Sequence, residues 1–140
     1  MSFVLDSSVA LAWCFRDEQT PAVMELLDRV VAEGAVAPLL WPRETINGLY
    51  MAHRRRRIDS VERNKLVGFL RDLPIRMDEE TAGQTWTATA ELADHFRLTI
   101  YDATYLELAR RRGLPLGSLD GALRQAATHL GLATLGTADQ

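Results

Sequence analysis

Four acidic residues carry the chemistry this chain can offer: Asp6, Glu44, Asp102 and Asp120. Each falls in or just before the first turn of a run with helical spacing, and three of them follow a short apolar segment that reads as a buried strand. Phe3-Val-Leu5 leads into Asp6, and Leu98 and Ile100 lead into Asp102. Leu114-Pro-Leu116 comes before Asp120, which opens a helix with Gly121 just inside it. In a parallel α/β sheet, positions of this kind lie along the carboxyl edge, where ligands bind.

Taken singly, each acid has a structural explanation. Asp6 can cap the helix that follows it, with Ser8 as a second cap or a supporting hydroxyl. Glu44, in the first turn after Trp41-Pro42, suits the positive end of the helix dipole, and Asn47 three residues on shares its face. Several carboxylates in one crevice would nevertheless repel and raise one another's pKa values. A divalent cation removes that conflict, and an oxygen-only donor set without a Cys/His cluster favours Mg²⁺ or Mn²⁺ over zinc. Such a centre can orient a water and neutralise charge developing on phosphorus, which points to phosphodiester or phosphoryl chemistry.

Other site types find little support. The chain has no Gly-rich phosphate loop and no serine in a nucleophile elbow. His53, His95 and His129 are scattered without metal-ligand spacing. A phosphoacceptor receiver domain needs an acidic pair near the first strand and a lysine near the last. Here Asp6 stands alone, and the only lysine, Lys65, is mid-chain.

Strand candidates at Phe3–Leu5, Ala35–Ala37, Ile75–Met77, Leu98–Ile100, Leu114–Leu116 and Leu132–Leu135 alternate with helical runs. Those runs start near Val9, Pro21, Trp41, Asp59, Asp78 or Thr81, Tyr101 and Asp120. This alternation predicts a three-layer α/β/α domain with a mainly parallel central sheet. The long helix ending near Phe96 is expected to turn Ala82, Trp86, Ala90 and Ala93 inward. A chain of 140 residues suits one domain, read here as residues 1–136 with a frayed tail over 137–140. No apolar run is long enough to span a bilayer, and Met1–Asp6 lacks the basic start of a signal peptide, so a cytoplasmic location is expected. The single Cys14 sits among apolar neighbours and fits a reducing compartment. The net charge of −3 argues against a protein that coats nucleic acid wholesale. Arginines cluster at Arg54, Arg55, Arg56 and Arg57 and again at Arg110–Arg112, as a phosphate-binding rim around an acidic centre would require.

Four segments, in this order, resemble the PIN-domain family and, within it, the VapC-type toxins of toxin–antitoxin pairs. They are Val4-Leu-Asp-Ser-Ser-Val-Ala-Leu-Ala-Trp13, Pro42-Arg-Glu-Thr-Ile-Asn47, Tyr101-Asp-Ala-Thr-Tyr-Leu-Glu-Leu-Ala109 and Leu116-Gly-Ser-Leu-Asp120. The resemblance implies an endoribonuclease dependent on Mg²⁺ or Mn²⁺. It implies that Asp6, Glu44, Asp102 and Asp120 form the catalytic set, with Asp6, Asp102 and Asp120 holding metal. Ser118 then supports the last acid and Asn47 steadies Glu44. It further implies a homodimer, inhibited by a small VapB-like antitoxin that also binds operator DNA. Gly117-Ser118 departs from the Ala-Thr more typical of the family. The competing expectation is a catalytically inactive PIN-like module that binds RNA or a protein partner.

Overall fold

The structure is a computed structural model that describes residues 2–138. Five parallel strands form one sheet in the order β3-β2-β1-β4-β5: β1 Val4–Leu5, β2 Ala35–Pro38, β3 Ile75–Asp78, β4 Leu116–Gly117 and β5 Thr134–Leu135. Helices flank it, which makes the domain the expected three-layer α/β/α sandwich with a wholly parallel sheet. β1 is central. Val4 is in register with Val36 on one side and Leu116 on the other. The strand order therefore reverses between β1 and β4, and the crevice beyond their carboxyl ends is the usual ligand position in such sheets.

Helices α1 (Ser7–Cys14) and α2 (Pro21–Glu33) connect β1 to β2, and α3 (Trp41–Arg54) and α4 (Ser60–Arg71) connect β2 to β3. Local chemistry sets their starts. Thr20 caps α2 ahead of Pro21 in its first turn, and Asp59 with Glu62 forms a capping box on α4. Gly48 lets α3 approach α1 closely, since a Cβ there would lie 2.6 Å from Leu11.

Between β3 and β4 runs a helical stretch made of α5 (Thr81–Gln84), a π-helical turn (Thr85–Thr89) and α6 (Ala90–Phe96). The wider turn shifts the phase of the helix, so its inward residues are Thr81, Thr89, Leu92 and Ala93. Trp86, expected to face inward, is instead 85% exposed, and Ala82 is exposed too. The strand expected at Leu98–Ile100 is also absent. Arg97 ends α6 in the left-handed conformation (φ 55°), and Thr99 accepts a hydrogen bond from the Asp102 N–H at 3.0 Å to cap α7 (Ile100–Arg112). A threonine cap, not a strand end, thus delivers Asp102.

Every residue of α7 from Ala103 to Ala109 is buried, and the helix packs against β1, β2, β4 and α8 (Gly121–His129). A helix buried all round must accommodate its polar residues, and Glu107 is held by the Arg111 guanidinium at 2.7 Å. Arg111 also meets Asp78 at 2.8 Å and Glu80 at 3.0 Å, and Arg112 meets Asp78 at 2.9 Å. These two arginines, expected in a phosphate-binding rim, instead tie the end of α7 to β3. The tail expected from residue 137 falls partly, at 139 and 140, outside the described residues. Thr137 itself accepts a hydrogen bond from Arg124 at 2.8 Å.

Candidate active site

Asp6 follows β1 directly, and Ser118, Leu119 and Asp120 follow β4, so the two strands at the reversal point bring the ends of the chain together. Asp6 is 4% exposed. Its Oδ2 accepts hydrogen bonds from Ser8 Oγ at 2.6 Å and from Ser118 Oγ at 2.8 Å. Both hydroxyls serve twice: Ser8 Oγ accepts from the Leu119 N–H, and Ser118 Oγ accepts from the Asp120 N–H. Asp120 in turn caps α8 by accepting from the Leu123 N–H at 2.9 Å. Gly117 has a steric reason. A Cβ there would lie 2.7 Å from the Phe3 ring, and the Gly117 carbonyl accepts the Asp6 N–H at 2.9 Å.

Glu44 sits in the first turn of α3. Its Oε1 accepts from the Tyr105 hydroxyl at 2.6 Å and, more weakly, from Ser7 Oγ at 3.4 Å. Neither donor stands out as functional in the sequence, where Tyr105 reads as a packing residue. The signal available was its spacing: Tyr105 lies three residues after Asp102, on the same helix face. Asn47, expected to steady Glu44, makes no hydrogen bond to it among the described residues. It is exposed on the outer side of α3, where it lines a groove with Pro42, Arg43, Ile46, Tyr50 and Arg54.

The electrostatics link all four acids. Burial lifts the Asp6 carboxyl above the usual carboxylate range against the pull of its serine hydrogen bonds, and the Glu44 charge lifts it further. Asp102 is also raised, first by burial, then by the charges of Asp120 and Asp6. Burial and the neighbouring Glu44 hold the Tyr105 phenol far above its ordinary value, so it stays protonated and donates to Glu44.

A second buried aspartate gives the contrast. Asp78 is fully buried, yet Arg111, Thr81 and Arg112 overcome the cost of burial and hold its carboxyl well below the ordinary range. Asp78 is neutralised by guanidinium groups, whereas Asp6 receives only neutral donors. Among the described residues no Lys, Arg or His pairs with Asp6, Glu44, Asp102 or Asp120.

That donor set, carboxylate oxygens in mutual repulsion with hydroxyl support, fits a hard divalent cation. Among the described residues no three acidic, histidine or cysteine side chains form a ready-made cage for an ion. Mg²⁺ does not need one, because it commonly takes one or two carboxylates and completes its shell with water and substrate phosphate.

The arginine run lies elsewhere. Arg54 is ten residues beyond Glu44 on α3, roughly 15 Å along the axis. Arg57 bonds Asp17 at 2.7 Å and Glu18 at 2.8 Å and lies 3.9 Å over the Phe15 ring, while Arg54, Arg55 and Arg56 are exposed. His95 and His129 flank the Phe96 ring as a packing cluster. A cleft of about 960 Å³ opens near the amino ends of β2 and β3, beside Gly34 and Pro74, at the opposite edge from the acids.

The chain belongs to the PIN domain family, whose pattern matches residues 3–138. Among solved structures it is similar to PAE2754 from Pyrobaculum aerophilum, with 21% identity and a TM-score of 0.65 over 96% of this chain and 90% of that one. It is also similar to FitAcB from Neisseria gonorrhoeae, with 17% identity and a TM-score of 0.66 over 96% of both chains. At these identities the likeness is one of fold. No curated protein matches the chain by sequence. PIN domains are in general metal-dependent nucleases. No helix among the described residues is long and apolar enough to cross a membrane.

Proposed function

We propose that this chain is an endoribonuclease that hydrolyses RNA phosphodiester bonds with Mg²⁺ or Mn²⁺, and that it acts as the toxin of a toxin–antitoxin pair. The observation that carries the reading is Asp6: a buried carboxylate supported only by neutral donors, coupled to Glu44 and Asp102, and paired with no cation among the described residues. Asp6, Asp102 and Asp120 are the residues to hold the metal. When bound, it supplies positive charge to the phosphate oxygens and lowers the pKa of the attacking water.

The chain's own groups have separable roles. Ser8 and Ser118 fix Asp6 through Oδ2, leaving Oδ1 without a side-chain donor. Tyr105 and Ser7 fix Glu44 through Oε1, and Oε2 is the atom free to accept a proton from the attacking water. Transfer of that proton as the P–O bond forms leaves the displaced oxygen to be protonated from solvent. Exposed Arg54, Arg55 and Arg56 extend the RNA contact beyond the catalytic crevice. A small VapB-like antitoxin and a second copy of this chain are the expected protein partners.

The alternative, an inactive binding module, is less well supported, because binding alone gives no reason to hold four repelling acids together. The test is cleavage of a mixed cellular RNA pool in Mg²⁺, Mn²⁺ or EDTA, by wild type and Asp102→Asn. Discrete fragments that require metal and vanish in the variant support the ribonuclease. No cleavage in either metal by folded, antitoxin-free protein favours the binding module.

A further inference from the structure

β4 and β5 are two residues each, so the ladder between them gives little hold on the turn that carries Ser118 and Asp120. A side chain supplies the rest. Arg124, one turn into α8, donates from Nη1 to the Ser118 carbonyl at 2.9 Å and to the Leu135 carbonyl at 3.0 Å. From Nη2 it donates to Thr134 Oγ1 at 3.2 Å and to Thr137 Oγ1 at 2.8 Å. A guanidinium is best matched to a carboxylate. Among the described residues this one makes no ion pair, and both its amino groups point at neutral oxygens at the ends of β4 and β5. Gly136 belongs to the same junction: its φ is 120°, and a Cβ there would lie 3.2 Å from the Ser118 carbonyl oxygen.

Ser118 is thereby held at every polar atom. Its N–H donates to the Leu135 carbonyl at 3.1 Å, and its carbonyl accepts from Arg124. Its hydroxyl donates to Asp6 Oδ2 and accepts from the Asp120 N–H. Because a peptide unit is planar, fixing the Ser118 carbonyl fixes the way the turn presents that hydroxyl and the Asp120 carboxyl. Arg124 bonds none of the four acids, so it reaches them through the turn. Mg²⁺ demands near-ideal octahedral geometry, which makes ligand orientation matter.

We propose that Arg124 is a positioning residue: it joins the segment Thr134–Thr137 to the Ser118–Asp120 turn and so sets the Asp6 and Asp120 carboxyls for the metal. This rests on the metal-dependent ribonuclease reading. β5 and the residues just after it are then part of the scaffold of the site.

The experiment titrates Mn²⁺ into full-length, RNA-free protein, following the free ion by electron paramagnetic resonance, well below the Tm of each variant. Arg124→Met keeps the stem and removes the donors. It is expected to weaken Mn²⁺ binding about 10-fold, the lower end of the loss usual for groups that orient metal ligands. Combined with Ser118→Ala, it should cost less than the product of the two single effects, because it acts through that residue. Asp59→Ala removes the cap of α4, beyond the far end of α3 from Glu44, and should lower Tm without changing Mn²⁺ binding. In RNA cleavage Arg124→Met should lower kcat and leave KM near its wild-type value, and the Mn²⁺ concentration for half-maximal cleavage should rise. Thr134→Val with Thr137→Val strips two anchors from the guanidinium and should weaken Mn²⁺ binding in the same direction; it carries the test if Arg124→Met does not fold. If the wild type cleaves RNA while these variants take up Mn²⁺ as it does, the positioning role is overturned and the ribonuclease stands. Fully multiplicative effects of Arg124→Met and Ser118→Ala overturn it as well. If the wild type neither binds Mn²⁺ nor cleaves RNA in Mg²⁺ or Mn²⁺, both readings fall together.

Discussion

Asp6→Asn is expected to stabilise the metal-free protein while it removes activity. The side chain is 4% exposed and its charge meets only neutral donors, of which the two serine hydroxyls can equally donate to an asparagine carbonyl. A carboxyl whose folded pKa lies above its unfolded value contributes stability below that unfolded value and loses it as pH rises through the folded one. For Asp6 burial comes first among the causes of the rise, so the penalty of the buried charge grows as pH rises from the ordinary carboxylate range. Removing it should gain on the order of 1 to 2 kcal/mol, the size usual for a single stabilising substitution where function had imposed a cost. With an unfolding entropy near 2.1 cal/mol/K per residue, about 0.3 kcal/mol/K for this chain, that gain raises Tm by about 3 to 7 °C. The assay is thermal unfolding by circular dichroism in EDTA from pH 4 to pH 8. The gap between variant and wild type should be widest at neutral pH and close toward the carboxylate range. Metal should reverse the order. At a hundredfold excess over Kd a ligand stabilises by about 2.7 kcal/mol, a gain open to the wild type and reduced in the variant. A variant that melts below wild type in EDTA would show that Asp6 holds the fold together, and the reasoning would fail.

Tyr105→Phe removes one hydrogen bond to the Glu44 carboxylate and should lower kcat about 10- to 150-fold, for a charge-assisted bond worth about 1.5 to 3 kcal/mol. Its RNA affinity should be unchanged, as equilibrium binding in an Asp102→Asn background would reveal. Arg111→Met leaves Asp78 and Glu107 buried with less compensation and should cost about 3 to 5 kcal/mol, or about 10 to 17 °C in Tm. Because the Asp78 carboxyl is held below its ordinary range, the ion pair stabilises above about pH 3.8 and fails only as pH falls through the lower folded value. Acid titration of the wild type should therefore show this contribution still present at pH 4. Replacing Arg54, Arg55 and Arg56 by alanine should reduce the salt dependence of binding to long RNA, by about 0.7 in log–log slope for each phosphate no longer neutralised, and leave cleavage of a short oligonucleotide intact. Equal slopes would place those residues outside the RNA path.

Much of this protein is written in local pattern. β1, β2 and β3 lie within about a residue of their apolar segments, and α2, α3, α4 and α8 begin where capping residues or Pro place them, because both signals act over three or four residues. The four acids were legible for the same reason, each marking a helix start. Phase could mislead even at that range. A single π-helical turn put Trp86 into solvent, and a threonine cap replaced the strand expected before Asp102.

What tertiary structure alone decided is which of these pieces meet. Ser118 reaches Asp6 across 112 positions and Tyr105 reaches Glu44 across 61, and both contacts follow from the strand order that seats β4 against β1 and lays α7 over the sheet. The same packing turned Arg111 and Arg112 toward Asp78, away from any role at the acidic edge. Periodicity tells each segment which face to bury, but not which distant segment will bury it. The cost of an unpaired buried charge is settled only when all the partners are in place, and here Asp78 found guanidinium groups while Asp6 was left to hydroxyls.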